Sequence, residues 1–162
     1  MKKETEKRIQ HLGGVLFLLY MAALLYFLFF ADDYGRSPSA EMRYNLVPFT
    51  EIRRFLRYRD TLGMRAVLLN VYGNVIGFLP FGAILPVMHR KLRSFARVTG
   101  LGALFSVCVE LLQLVSRRGS CDVDDVILTT AGAALGYLIF AAVNGLRRAA
   151  SKRRKAGEYG KG

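Results

Sequence analysis

The sequence predicts an all-α membrane protein with four transmembrane helices and a short amphipathic interfacial helix in the first outer loop. Hydrophobic residues make up 52% of the 162 residues, and the mean hydropathy is +0.25, which is too apolar for one soluble domain of this size. The apolar residues also come in four long blocks, each long enough for the roughly 17 to 25 residues of a spanning helix. These blocks cover approximately 12–31, 66–88, 98–115 and 126–143. We therefore expect a single integral membrane domain over residues 1–162.

The net charge of +12 predicts the orientation of the chain rather than a nucleic-acid partner, because the cations lie in the connections between apolar blocks. Four spans place both termini on one side of the membrane. Most of the 24 Lys and Arg residues fall on that side, in the first residues, in the connection 89–97 and in the tail 146–162. By the positive-inside rule, the termini and this basic tail are expected to be cytoplasmic, with the tail against anionic lipid.

The first block has an alternative interpretation as a signal peptide, because a basic stretch precedes it. The apolar run exceeds the usual 7 to 15 residues of such a peptide and lacks a clear A-x-A site, which favours an uncleaved first span. The two cysteines, Cys108 and Cys121, have neither the spacing nor the position of a disulfide framework or a metal motif.

The connection 32–65 is unusually long for a chain of this size. Its second half, residues 45–60, places apolar side chains on one helical face and arginines elsewhere, which predicts the interfacial helix. Arg53 and Arg54 could hold lipid phosphates by bidentate contacts, or they could simply be solvated charges. The sequence leaves both open.

The second block carries Asn70, Asn74 and Gly77 on one helical face. Gly73 and Gly77 form a small-xxx-small pair that predicts close backbone approach, and Pro80 predicts a bend about one turn earlier. The asparagines either contribute to a site or serve as interhelical hydrogen-bond donors in an ordinary packing face.

The third and fourth blocks repeat this spacing. Glu110 is the most informative residue, because a carboxylate inside a spanning helix costs at least about 2.5 kcal/mol and persists where a function or a buried partner requires it. Gly132 and Gly136 form a second small-xxx-small pair. Because similar depths are expected for the three polar stripes, we predict a shared pocket just below the outer face. The stripes of the third and fourth blocks are Ser106, Glu110, Gln113 and Arg117, and Asp125, Thr129, Gly132 and Gly136.

Glu110 in such a pocket is either neutral through desolvation or ionised beside an arginine. Arg117, Arg118 and the arginines of 53–57 are equally good candidates for that arginine. The acidic run of Asp122, Asp124 and Asp125 before an apolar helix favours N-terminal capping over a divalent cation site, so we expect no metal and no cofactor. Glu110 and Asp125 are candidate general acids or bases. The predicted ligand-binding residues are Asn70, Asn74, Glu110, Gln113, Arg117, Asp122, Asp124, Asp125, Arg53 and Arg54.

Four motifs in order resemble the VanZ-like family of bacterial membrane proteins. They are NLVPFTEI at 45–52, NVIGFLPFG at 74–82, Glu110 followed by Gln113, and DVDDVILTTAGAALGY at 122–137. The pattern departs from the family at Thr129, where asparagine is usual, so an interhelical contact there is expected to differ.

The resemblance implies a multi-pass protein of the bacterial plasma membrane, related to one that confers resistance to the glycopeptide teicoplanin. It implies no reaction. Three hypotheses follow: a module that binds or modifies an anionic or lipid-linked cell-wall headgroup at the outer leaflet, an enzyme acting on such a headgroup, or a structural partner subunit without a site of its own. Membrane lipids are the expected partners, nucleic acid is not, and an oligomer is compatible with all three.

Overall fold

The computed structural model of the protein describes residues 2–30, 43–117 and 119–159. The turn-rich first part of the connection 32–65 therefore lies largely outside the described residues. The elements, in chain order, are α1 (Lys2–Phe30), β1 (Arg43–Asn45), α2 (Thr50–Arg57), α3 (Arg59–Leu62), α4 (Met64–Val67), a π-helical turn (Leu68–Tyr72), α5 (Gly73–Met88), a 3-10 turn (Arg90–Leu92), α6 (Phe95–Ser116), β2 (Ser120–Asp122) and α7 (Val123–Tyr159).

Four of these helices are long and apolar enough to cross a membrane, as predicted: Lys7–Phe30, Leu68–Met88, Phe95–Ser116 and Val123–Arg153. The helices α1 and α7 extend beyond the predicted blocks. The basic tail was expected to be a flank, yet α7 continues through it to Tyr159. Arginine, lysine and alanine have high helix propensity, so charge alone does not end a helix here. The short interfacial helix is α2, which contains no buried residue.

The two helices α5 and α7 run in parallel and touch through their backbones. A Cβ atom at Gly132 would collide with the carbonyl oxygen of Val75, and a Cβ atom at Gly136 would collide with that of Leu79. The predicted close approach at this glycine pair is therefore confirmed. Only the absence of a side chain lets the two backbones meet at these positions.

The prediction that Gly73 and Gly77 allow close backbone approach to a neighbouring helix is wrong. The nearest atom to a Cβ at Gly77 would be Leu24 Cδ1 at 3.9 Å, an ordinary contact. The glycine of α5 that α7 requires is Gly82, where a Cβ would overlap the backbone of Ala133. Sequence spacing identifies small residues on a helix, whereas the packing register decides which of them faces a neighbouring backbone.

The core lies between α5, α6 and α7 and contains Phe78, Phe81, Leu85 and Ala133. The helix α1 packs on the outside of this core, antiparallel to α5. Its Tyr20 hydroxyl donates a hydrogen bond of 2.7 Å to the Gly77 carbonyl oxygen.

A two-stranded parallel sheet joins the connection 32–65 to the loop between α6 and α7. The register pairs Arg43 with Ser120, Tyr44 with Cys121 and Asn45 with Asp122. The sequence did not predict this sheet, because three-residue strands are too short for an alternating pattern. The sheet fixes α2 above the end of the bundle where α1 ends, α5 begins, α6 ends and α7 begins.

Candidate functional site

The polar stripes of α5, α6 and α7 meet at this end of the bundle, as predicted. Asn74 Nδ2 on α5 donates to Asp125 Oδ1 on α7 at 2.5 Å. The Thr129 hydroxyl on α7 lies 2.7 Å from Ser106 Oγ on α6 and 2.7 Å from its own helix's Asp125 carbonyl oxygen. Since a hydroxyl has one proton, donation to the carbonyl leaves Thr129 accepting from Ser106. The shorter Thr129 side chain therefore still joins two helices.

Glu110 is buried, with 5% of its surface exposed. Its Oε2 accepts a 2.7 Å hydrogen bond from the backbone N–H of Asp122, which holds the start of α7 against α6. Arg117 ends α6 in a left-handed conformation with φ of 56°. Its side chain is exposed and forms no ion pair with the described residues, so Arg117 is not an ion-pair partner of Glu110. Arg118, an equally good candidate from the sequence, lies outside the described residues.

Asp124 joins α7 to α2. Its carboxylate accepts hydrogen bonds from the backbone N–H groups of Phe49, of Glu51 at 2.8 Å and of Ile52 at 3.0 Å. These are the groups that a helix leaves without intrahelical partners at its N-terminus. Asp124 is 1% exposed and caps a helix that lies more than 70 residues earlier in the chain.

Asp122 caps α7 itself, which confirms the predicted capping role for the acidic run. Its Oδ1 accepts the backbone N–H of Asp124 at 2.9 Å and the side-chain Nδ2 of Asn45 at 3.0 Å. Burial raises the pKa of the Asp122 carboxyl, and these two hydrogen bonds partly offset the rise. We call Asn45, Glu110, Asp122 and Asp124 the clamp, because together they fix the connection 32–65 to α6 and α7.

Beside the clamp lies a cavity of about 770 Å³. Its apolar lining includes Leu24, Phe27 and Leu28 of α1, together with Leu69 and Leu128. Its polar lining comprises Arg43, Glu51, Arg54, Arg65, Asn70, Asn74, Asp122, Asp124 and Asp125.

The predicted ligand-binding residues divide into two groups. Those that line the cavity are Arg54, Asn70, Asn74, Asp122, Asp124 and Asp125, and those that do not are Arg53, Glu110, Gln113 and Arg117. Gln113 is buried and donates to the Leu28 carbonyl oxygen at 2.8 Å, which fixes the end of α1. Arg43 and Arg65 line the cavity without having been singled out from the sequence. Neither lies on a polar stripe, because β1 and the loop helices place them.

The three arginines that line the cavity differ in whether they form an ion pair. Arg54 contacts Glu51 at 2.7 Å across one helical turn, with 53% of the arginine side chain exposed, so the pair adds little stability. Burial raises the pKa of Glu51, and Arg54 offsets part of the rise. Arg43 and Arg65 form no ion pair with any described residue. Within the described ranges, no three His, Cys, Asp or Glu residues form a group that could hold a metal ion.

Comparisons with known proteins agree with the motif resemblance. A family model described as VanZ/LLP1 matches residues 17–144. A protein of Enterococcus faecium named Protein VanZ is 27% identical over 132 residues, which cover 80% of this chain and 73% of that protein. No solved structure matches the chain. The matched region includes the four predicted spans almost entirely, the clamp and the cavity.

Proposed function

The chain belongs to the VanZ/LLP1 family, and from this premise we propose that it binds the anionic headgroup of an outer-leaflet lipid or lipid-linked cell-wall precursor in the bacterial plasma membrane. The proposed site is the cavity beside the clamp. One observation carries the proposal: three arginines, Arg43, Arg54 and Arg65, line the same cavity as the apolar residues of α1. A lipid presents this combination of an anion next to hydrocarbon.

The arginines supply the affinity for an anion. A guanidinium group is always charged and matches the oxygens of a phosphate with two parallel donors. Arg43 and Arg65 form no ion pair with a described carboxylate, and the cavity acid Asp124 is already bonded to three backbone N–H groups. An entering phosphate would therefore find guanidinium donors without having to displace an ion pair at Arg43 or Arg65.

The position of α1 explains how a lipid could reach the cavity. Only 6% of an apolar 18-residue window within the span Lys7–Phe30 is buried inside the protein, so this helix lies at the edge of the bundle. The cavity wall is here one helix thick. A headgroup could enter beside Leu24, Phe27 and Leu28 while its hydrocarbon chain stays in the bilayer.

The proposal requires the cavity to face the outside and both termini to be cytoplasmic, as the charge distribution predicts. Labelling of intact cells with a membrane-impermeant maleimide tests this in a variant with Cys108 and Cys121 replaced by serine. A cysteine at exposed Leu46, beside β1, should react, and one at Ser151 should react only after lysis. The opposite pattern would place the cavity inside and contradict the proposal.

Binding can be measured directly, because the natural chain contains no tryptophan. A Phe27→Trp variant places one fluorophore in the cavity wall. In nanodiscs of phosphatidylcholine, brominated phosphatidylglycerol should quench this tryptophan saturably and at a lower mole fraction than brominated phosphatidylcholine. Brominated lipids of either kind also quench the tryptophan from the lipid layer that surrounds the protein. The difference in quenching between the two lipids therefore measures selective binding at the cavity.

A matched pair of double variants separates the cavity arginines from general surface charge. Arg43→Gln with Arg65→Gln should remove most of the preference for the anionic lipid. Arg53→Gln with Arg57→Gln removes the same charge from exposed arginines that do not line the cavity, and it should leave the preference in place. An equal loss of the lipid preference in both double variants would mean that surface charge alone attracts the lipid, and the proposed site would be wrong.

The relation to VanZ also supports a contribution to teicoplanin resistance, because that lipid-tailed glycopeptide acts on cell-wall precursors at the outer surface. Expression in a susceptible Gram-positive host should raise the inhibitory concentration of teicoplanin. The Arg43→Gln, Arg65→Gln variant should lose this effect at an equal membrane level of protein. Unchanged resistance in that variant would separate the phenotype from the cavity.

A further inference from the structure

Resting on the proposed function, we infer that the headgroup bound in the cavity carries hydroxyl groups in addition to its phosphate, as a glycerol or sugar headgroup does. The cavity is lined by two sets of polar groups with opposite hydrogen-bonding character, which we call the donor side and the acceptor side. The arginines of the donor side can only donate, whereas the acceptor side has acceptors left over after its internal hydrogen bonds are counted. A phosphate by itself would satisfy the donor side alone.

Arginines form the donor side. A guanidinium group has five N–H donors and no acceptor, so Arg43, Arg54 and Arg65 can bind only acceptor atoms of a ligand. Phosphate oxygens are such atoms. Nothing on this side of the cavity would favour a hydroxyl group over a second phosphate oxygen.

Asn74 belongs to the acceptor side. Its side-chain Nδ2 donates to the Asn70 carbonyl oxygen at 3.0 Å and to Asp125 Oδ1 at 2.5 Å. These two bonds use both hydrogens of the amide and fix which end of the side chain is nitrogen. The remaining group of this cavity residue is Oδ1, which can only accept.

Asp122 adds a second acceptor. Both of its hydrogen bonds, from Asn45 and from the Asp124 backbone, go to Oδ1. Its Oδ2 accepts no hydrogen bond from any described residue, although Asp122 is 6% exposed and lines the cavity. Because Asp122 lines the cavity, this oxygen can accept a hydrogen bond from a ligand hydroxyl. A ligand that displaces cavity water without supplying a donor would leave the oxygen unpaired, which is unfavourable.

The two sides together select the ligand class. A headgroup of phosphate alone would bring its negative charge towards Asp122 and Asp125 without offering either a donor. A choline headgroup also lacks donors. A glycerol or sugar headgroup places phosphate oxygens at the arginines and hydroxyl donors at Asn74 and Asp122. The volume of about 770 Å³ is within the range of cavities that hold such compact polar groups.

The test compares brominated phosphatidylglycerol, phosphatidic acid and phosphatidylethanolamine in the Phe27→Trp protein, with phosphatidylcholine as the host lipid. Phosphatidylglycerol carries two hydroxyl groups beyond the phosphate, and phosphatidic acid carries no headgroup alcohol. We expect phosphatidylglycerol to bind about tenfold more tightly than phosphatidic acid, as one or two added hydrogen bonds would give. This comparison needs no substitution at the acceptor side.

Variants then assign the selectivity to residues. Asn74→Ala should clearly lower the ratio of the two affinities, although Asp122 Oδ2 remains as a second acceptor. Asn144→Ala on α7, which does not line the cavity, should leave the ratio unchanged. Arg43→Gln with Arg65→Gln should weaken both lipids and preserve the ratio. If Asn74→Ala keeps the full preference for phosphatidylglycerol, the acceptor side is wrongly assigned.

The outcomes distinguish this inference from the proposed function. Equal, arginine-dependent binding of phosphatidylglycerol and phosphatidic acid would overturn the hydroxyl selectivity and leave headgroup binding in place. Preference for phosphatidylethanolamine would overturn it in favour of an ammonium donor. If no anionic lipid quenches at a lower mole fraction than phosphatidylcholine, the proposed function itself fails.

Discussion

The clamp and the cavity wall lie side by side at one end of the bundle, and both are rich in polar residues. In the clamp, the polar groups bind one another or the backbone: Asp124 accepts three backbone N–H groups, and Glu110 accepts a fourth from Asp122. In the cavity wall, Arg43 and Arg65 form no ion pair with the described residues. The polar groups of the clamp are therefore mostly bonded within the protein, whereas these two cavity arginines have no described carboxylate as a partner.

This difference limits what a buried acid can be taken to mean. An ionisable residue inside a membrane span is a functional-site hypothesis by default. Glu110 satisfies the condition, yet its described partner is a backbone N–H of the chain itself. A buried carboxyl group that accepts a hydrogen bond from the backbone needs no ligand to account for its presence.

The largest expected effect comes from breaking the clamp at Asp124. Asp124→Ala removes the acceptor for three backbone N–H groups, at about 1.5 to 3 kcal/mol for each hydrogen bond to a charged group, reduced where water can replace it. We expect a loss of about 3 kcal/mol or more in the free energy of unfolding, measured in detergent. The matched control is Asp60→Ala on α3, where the side chain is exposed. Equal stability of the two variants would refute the clamp.

The next effect should be found at Glu110. Glu110→Leu leaves the Asp122 N–H without this acceptor, at a cost of about 1 to 3 kcal/mol. Glu110→Gln retains a side-chain oxygen in the same place and should be clearly more stable than the leucine variant. Lipid binding should survive in Glu110→Gln, because Glu110 does not line the cavity. Loss of binding in a folded Glu110→Gln protein would move this residue from the clamp to the site.

A smaller effect on stability is expected at the cavity wall. Arg65→Gln should change the free energy of unfolding by no more than about 0.5 kcal/mol, as for other exposed residues without ion pairs. The same substitution should weaken the binding of phosphatidylglycerol. If Arg65→Gln unfolds the protein, this cavity arginine stabilises the fold as the clamp does, and the contrast between the two regions is wrong.

The smallest effect is a pH dependence within the clamp. Burial raises the pKa of Asp122 in the folded protein, so the folded state binds a proton more readily than the unfolded state. The stability contribution of this group is present below the unfolded pKa and is lost as the pH rises through the raised value. Asp122→Asn keeps an acceptor at this position without the titration, so it should flatten this part of the curve of melting temperature against pH. An unchanged curve would contradict the burial effect.

Much of the architecture followed from the sequence. The four spans, the interfacial helix α2, the meeting of the stripes through Asn74 and Asp125, and the close approach at Gly132 and Gly136 all follow from segment length and helical periodicity. These are local properties, since a helix satisfies its own backbone hydrogen bonds and its sequence period decides which side chains share a face. The bend predicted at Pro80 stays a prediction.

The clamp and the composition of the cavity required the tertiary structure. Three-residue strands and a carboxylate that caps a helix more than 70 residues away leave no periodic pattern in the sequence. For the same reason Arg53 and Arg54 looked equivalent, although only Arg54 lines the cavity. The sequence by itself determined which segments are suited to span the membrane. A spanning helix needs a long apolar run and makes its backbone hydrogen bonds within itself, and both properties are local. The fold decided which polar groups are already bonded, because that depends on partners distant in the chain.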